Sequence, residues 1–77
     1  MTKHTLINNY YITHRDELLA YACSRLGDSC QAEDIVQNVF LRLLTSNKLI
    51  SEVTLPALVF AMTRHLIYDY FRPHTAV

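Results

Sequence analysis

Three stretches of the chain carry apolar side chains at helical intervals, with turn and capping residues between them. In the first, Leu6 or Ile7, Tyr10 or Tyr11, His14, Leu18, Tyr21 or Ala22, and Arg25 or Leu26 recur every three or four residues, which predicts a helix over about residues 6–26. Gly27 follows as a C-cap, because glycine takes a positive φ without steric cost. Asp28 then offers an N-cap to a second helix over about 29–45, with Gln31 placed as a capping-box partner. The short link between them makes the first two helices antiparallel neighbours. Residues 46–53, SNKLISEV, have no period and read as a loop. Thr54 caps a third helix over about 55–72; Pro56 sits in its first turn, where a missing N–H does no harm, and Pro73 ends it. The expected fold is all-α, a small three-helix bundle.

The second helix has two distinct faces. At 3.6 residues per turn, Ala32, Ile35, Val36, Val39, Phe40 and Leu43 form an apolar stripe wide enough to enter a core. Asp34, Gln37, Asn38 and Leu41 fall on the opposite side at i, i+3, i+4 and i+7. A helix that needed only solubility would more often carry Lys and Glu there. Amides around an apolar spot suit contact with another protein, since they hydrogen-bond without the desolvation cost of full charges. On these residues alone, a solvated face and a docking face both remain open.

The third helix is apolar over much of its circumference. Leu55, Leu58, Val59, Met62, Leu66 and Tyr70 lie on one arc and Phe60, Ile67 and Phe71 on the next, so it must be packed on two sides. The polar strip that remains holds Arg64, His65, Tyr68, Asp69 and Arg72. Two guanidinium groups, an imidazole and a phenol can contact phosphates and stack on an unpaired base. Read without further context, Arg64, Asp69 and Arg72 are also compatible with ordinary surface ion pairs.

Composition narrows the field. Seventy-seven residues make one domain, and at that size the buried fraction is small and stability is helped by partners. Seven basic side chains balance seven acidic ones, which argues against a general nucleic-acid-coating protein. Any DNA contact must then rest on local placement and on a larger complex. One Gly and two Pro leave little room for hairpins. The N-terminal run MTKHTLINNYY lacks the apolar core of a signal peptide, and no apolar run is long enough to span a membrane. The expectation is a soluble cytoplasmic domain with no membrane insertion. Cys23 and Cys30 read as reduced thiols near a helix corner, and with His4, His14, His65 and His74 scattered they complete no metal site. No cofactor is expected. No nucleophile–base pair or glycine-rich phosphate loop is discernible, so the chain is not expected to be an enzyme.

The run Arg25-Leu26-Gly27-Asp28, followed by Ala32-Glu33-Asp34-Ile35-Val36-Gln37-Asn38-Val39-Phe40-Leu41-Arg42-Leu43, strongly resembles bacterial sigma factors of the sigma-70 family. The resemblance is to region 2 of the extracytoplasmic-function branch and extends from about Tyr10 to Arg72. It implies a transcription-initiation domain that binds core RNA polymerase and recognises and helps to melt the −10 promoter element. The polymerase partner implied is the pair of β′ clamp helices, met by Asp34, Gln37, Asn38 and Leu41. The DNA partner implied is the non-template strand of the −10 element, met by Asn47 and Lys48 in the loop and by Arg64, His65, Tyr68 and Arg72 on the third helix. An anti-sigma factor is a further partner that such a domain can have. Three positions depart from the family pattern. Asn38 stands where glutamate is common, His65 follows Arg64 where asparagine is frequent, and the loop lacks the usual aromatic and glycine pattern. The second DNA-binding domain that reads the −35 element in complete members does not follow the third helix, so residues 1–77 read as a fragment holding region 2 alone.

Two other readings stand beside this one. An independent helix-turn-helix regulator would use the turn over residues 27–29, but the helix after it starts with Glu33 and Asp34, the wrong sign for phosphates and bases. A helical module that only binds other proteins would use the amide stripe and leave the basic strip idle.

Overall fold

The computed structural model describes residues 2–46 and 49–72 and contains three helices, α1 (Lys3–Leu26), α2 (Ser29–Thr45) and α3 (Leu55–Phe71). The all-α three-helix bundle is the architecture observed. α1 starts about one turn earlier than its apolar period indicates, because Thr2 caps it: the Thr5 N–H donates to the Thr2 hydroxyl at 3.2 Å. Capping acts through polar atoms, so a hydrophobic count that begins at Leu6 passes over it.

The α1–α2 corner follows the local chemistry. Gly27 takes a left-handed φ of 71°, and its N–H donates to the Cys23 carbonyl at 2.8 Å. The Asp28 carboxylate accepts from the N–H groups of Cys30 at 2.9 Å and Gln31 at 3.4 Å. Gln31 therefore takes part through its backbone, and its side chain does not close the reciprocal arm of a capping box. The turn sends α2 back along α1, so that the start of α1 lies beside the end of α2, where the Lys3 ammonium donates to the Ser46 carbonyl.

The start of α3 corrects the expectation for Thr54. It occupies the N-cap position but caps no N–H of the helix with its side chain. Its hydroxyl faces backwards to Ser51, 2.9 Å from the Ser51 hydroxyl, and its own N–H donates to Ser51 Oγ at 3.2 Å. The Leu55 N–H donates to the Ser51 carbonyl at 3.0 Å. Ser51 thus sets up a leading turn over residues 51–54, and the paired hydroxyls satisfy one another there rather than in the helix.

The core is built from Ile7, Leu18 and Ala22 of α1, the whole apolar stripe of α2, and Leu55, Val59 and Ile67 of α3. Phe40 anchors one end, with the Tyr11 ring edge-on at 4.7 Å; Tyr21 and Phe60, 5.9 Å apart, tie α1 to α3 at the other. α3 packs against both partners, as its wide apolar arc requires. Its burial differs in detail from the two arcs read in the sequence. Thr63 is completely buried, its hydroxyl donating to the Val59 carbonyl at 2.7 Å. Tyr70 and Phe71 are 44% and 58% exposed and stack edge-on with each other. They lie in the last turn of α3, past the reach of its neighbours.

Candidate functional site

The α2 stripe stands where the helical period puts it. Asp34, Gln37 and Leu41 are exposed and Asn38 is half-buried. The Asn38 amide donates to the Asp34 carboxylate at 3.3 Å, one turn away, so the carboxylate is held in place while its other oxygen stays open. Leu41 is 59% exposed, an isolated aliphatic side chain within a polar strip.

The structure adds to this stripe what the periodicity of one helix does not show. Asp34, Gln37, Asn38 and Leu41 form one wall of an open cavity of about 660 Å³. The facing wall comes from α1, with His4, Asn8 and Tyr11, and the buried ring of Phe40 lies at the base. The groove lies between the two helix surfaces, and its chemistry is apolar below and amide-rich above. The apolar period of α1 does not single out His4, which precedes its first apolar position, or Asn8, which with Asn9 forms a polar pair between Ile7 and Tyr10. The alternation of Ile7 and Asn8 is the one signal that could have marked the rim.

The α3 strip is equally exposed. Arg64, His65, Tyr68 and Arg72 share one side of the helix, and the Tyr68 phenol is 73% exposed. Asp69 sits between them, 3.4 Å from His65 Nε2 and 3.9 Å from the Arg72 guanidinium. Arg64 has no ion-pair partner among the described residues. The strip therefore offers one free guanidinium, one that shares a carboxylate, and a phenol for stacking. Pairs as exposed as these contribute little to stability and leave the Arg72 guanidinium available to another anion. Asn47 and Lys48 lie outside the described residues. The structure thus brings together the four α2 residues in one wall and the four α3 residues in one strip.

One titratable group in the bundle is displaced. Tyr10 stacks on His14 at 4.2 Å, and burial, with Glu17 adding to it, raises its phenol above the ordinary value of 10.0. It lies away from the α3 strip and takes no part in it. Among the described residues no group of His, Cys, Asp or Glu is arranged to hold a metal ion, and no helix is long and apolar enough to cross a membrane.

The three-helix domain thus carries two exposed surfaces of different chemistry, an amide-lined groove and a separate cationic, aromatic strip. Residues 10–76 match the family Sigma-70 region 2, and the chain belongs to that family. It is a sigma-factor domain of the kind that binds core RNA polymerase and takes part in melting promoter DNA, in a family that is not one of enzymes. No curated protein and no solved structure matches the chain.

Proposed function

We propose that this chain is the promoter-opening domain of an extracytoplasmic-function sigma factor in the bacterial cytoplasm. In this reading Asp34, Gln37, Asn38 and Leu41 dock on the β′ clamp helices of core polymerase. Arg64, His65, Tyr68 and Arg72, with Asn47 and Lys48 of the loop, hold the non-template strand of the −10 element. The observation that carries the reading is the separation of the two surfaces, an amide wall with one carboxylate on α2 and a cationic strip on α3.

The mechanism follows from the charges. Affinity for DNA comes largely from neutralising phosphates, and a domain with seven acidic and seven basic side chains has little to spend on duplex by itself. Docking on polymerase makes the DNA contacts effectively intramolecular, so a few weak ones suffice. Unstacking a base costs a few kcal/mol; an exposed phenol and a guanidinium can hold the strand once it is open. The wrong-signed start of α2 disfavours the helix-turn-helix alternative, since Glu33 and Asp34 are both exposed there.

Titration of core polymerase with wild-type chain and with Asp34→Ala combined with Gln37→Ala tests the reading. Both side chains are exposed, so the double variant should fold and bind more weakly, by about 1 kcal/mol or more for each central contact. Unchanged affinity in a folded double variant would exclude α2 as the docking face.

A further inference from the structure

Leu41 and Arg42 are neighbours in sequence and face different helices. Leu41 belongs to the α2 wall of the groove against α1. Arg42 stands about 100° further round α2, where it lines a second, shallow cleft of about 170 Å³ with Ala61, Met62, His65 and Leu66 of α3. Met62 and Leu66 are half-buried and make an apolar floor, while Arg42, Ala61 and His65 are exposed. Among the described residues no carboxylate lines this cleft. The Asp69 carboxylate is taken by His65 Nε2 at 3.4 Å and by the Arg72 guanidinium at 3.9 Å, and Arg42 has no ion-pair partner among the described residues. An arginine in the last turn of a helix often serves the terminal carbonyls. Here the carbonyls of Leu41 and Arg42 instead accept from the Thr45 hydroxyl, at 3.0 and 3.3 Å.

We propose that the cleft between α2 and α3 holds one nucleotide of the promoter strand, its phosphate on the Arg42 guanidinium and its deoxyribose on Met62 and Leu66. The inference rests on the reading of the α3 strip as the DNA-contacting surface and extends that surface onto α2. Two observations choose the occupant. His65 belongs to the strip and to the cleft alike, so the two surfaces are continuous. Arg42 is an unpaired cation beside an apolar floor, which complements a phosphate joined to the less polar face of a sugar. Arg42 then supplies a phosphate contact as unencumbered as that of Arg64, while Arg72 shares its charge with Asp69. Polymerase docking and strand contact meet at adjacent residues of one helix, Leu41 on one side and Arg42 on the other.

Arg42→Met keeps an aliphatic stem at this position and removes the charge. Fluorescence-anisotropy titration of labelled single-stranded −10 DNA at several salt concentrations should show a salt slope lowered by about one, as for Arg64→Ala, and by about two when the changes are combined. Arg42→Lys keeps the charge and should keep the slope. Affinity for core polymerase, titrated with the same chains, should be unchanged in Arg42→Met. Ala61→Glu puts a carboxylate at the mouth of the cleft from an exposed position, and like charges brought together should weaken DNA binding by about tenfold. If Arg42→Met lowers the melting temperature, Ala61→Glu decides, and DNA binding equal to wild type in that variant overturns the site. An unchanged slope in Arg42→Met beside a lowered one in Arg64→Ala overturns the cleft and leaves the α3 strip standing. Unchanged slopes in both overturn both. Affinity lost from Arg42→Met with no change of slope overturns the phosphate contact. Weaker polymerase binding by Arg42→Met at unchanged DNA binding assigns the cleft to an acidic segment of the protein partner and also overturns the proposal.

Discussion

α2 and α3 are both 17-residue helices of the same bundle, and they solve the problem of facing two ways by different means. α2 divides its circumference cleanly, with six buried apolar residues on one side and the Asp34–Leu41 stripe on the other. α3 is apolar almost all round, and its buried line is narrow, Leu55, Val59, Thr63 and Ile67 at successive four-residue steps. Leu58, Phe60, Met62 and Leu66 flank that line half-buried. A clean division lets a helix present a neutral, amide-rich face to a protein partner. A wide apolar arc wedges a helix between two others and leaves it one strip for charge. The two exposed surfaces differ accordingly, one dominated by amides and the other by cations.

The comparison can be broken most forcefully at Phe40, where α2 and α1 meet. The ring is 6% exposed, so Phe40→Ala should destabilise the bundle by about 3–5 kcal/mol, enough to unfold much of so small a domain. A thermal melt that barely moves would mean that the α2 stripe is not the core.

Thr63 sharpens the contrast on the α3 side. Its hydroxyl is bonded within its own helix, so Thr63→Val should shift stability by only about 1 kcal/mol. Thr63→Leu must force extra methylenes between α3 and its neighbours and should cost about 1–3 kcal/mol. Equal melts for the two variants would show that the line through Thr63 is loosely packed.

The α3 strip predicts an asymmetry between its arginines. Fluorescence-anisotropy titration of single-stranded −10 DNA at several salt concentrations should show a slope lowered by about one for Arg64→Ala. Arg72→Ala should lower it less, because the Arg72 guanidinium already has the Asp69 carboxylate 3.9 Å away. Asp69→Asn should erase the difference. Identical slopes for both arginines in the presence of Asp69 would remove the pairing from the account of DNA binding.

The smallest effect lies outside both surfaces. The Tyr10 phenol is raised above 10.0, chiefly by burial, so the folded state holds this proton more tightly than the unfolded chain. Its contribution is fully present below the ordinary phenol value and is lost as pH rises through the higher folded value. Alkaline melts should therefore fall less steeply with pH in Tyr10→Phe than in wild type, the other four tyrosines being common to both.

How much of this was readable in advance differs between the helices for the same reason that their faces differ. All six apolar residues read for α2 are buried, because a two-sided pattern leaves one way to turn the helix. On α3 the pattern permits several rotations; the apolar arcs that it defines include Tyr70 and Phe71, which lie exposed, and leave out Thr63, the most enclosed polar side chain described. The Arg64–Arg72 strip was readable because charge has only the surface to go to. Thr54 has the residue type of a cap, but its hydroxyl pairs with that of Ser51.

By itself the sequence determined what depends on neighbours along the chain: three helices, the Gly27–Asp28 corner, the core face of α2, and a region 2 resemblance that the family match bears out. Tertiary structure decided what depends on residues far apart. It set which side of α3 is enclosed, brought Lys3 to Ser46, and stood His4 and Asn8 opposite Asp34 across a groove. Local hydrogen bonds and periodicity act over a few residues and can be read in order, whereas a wall shared by two helices exists only once their packing has set the distance between them.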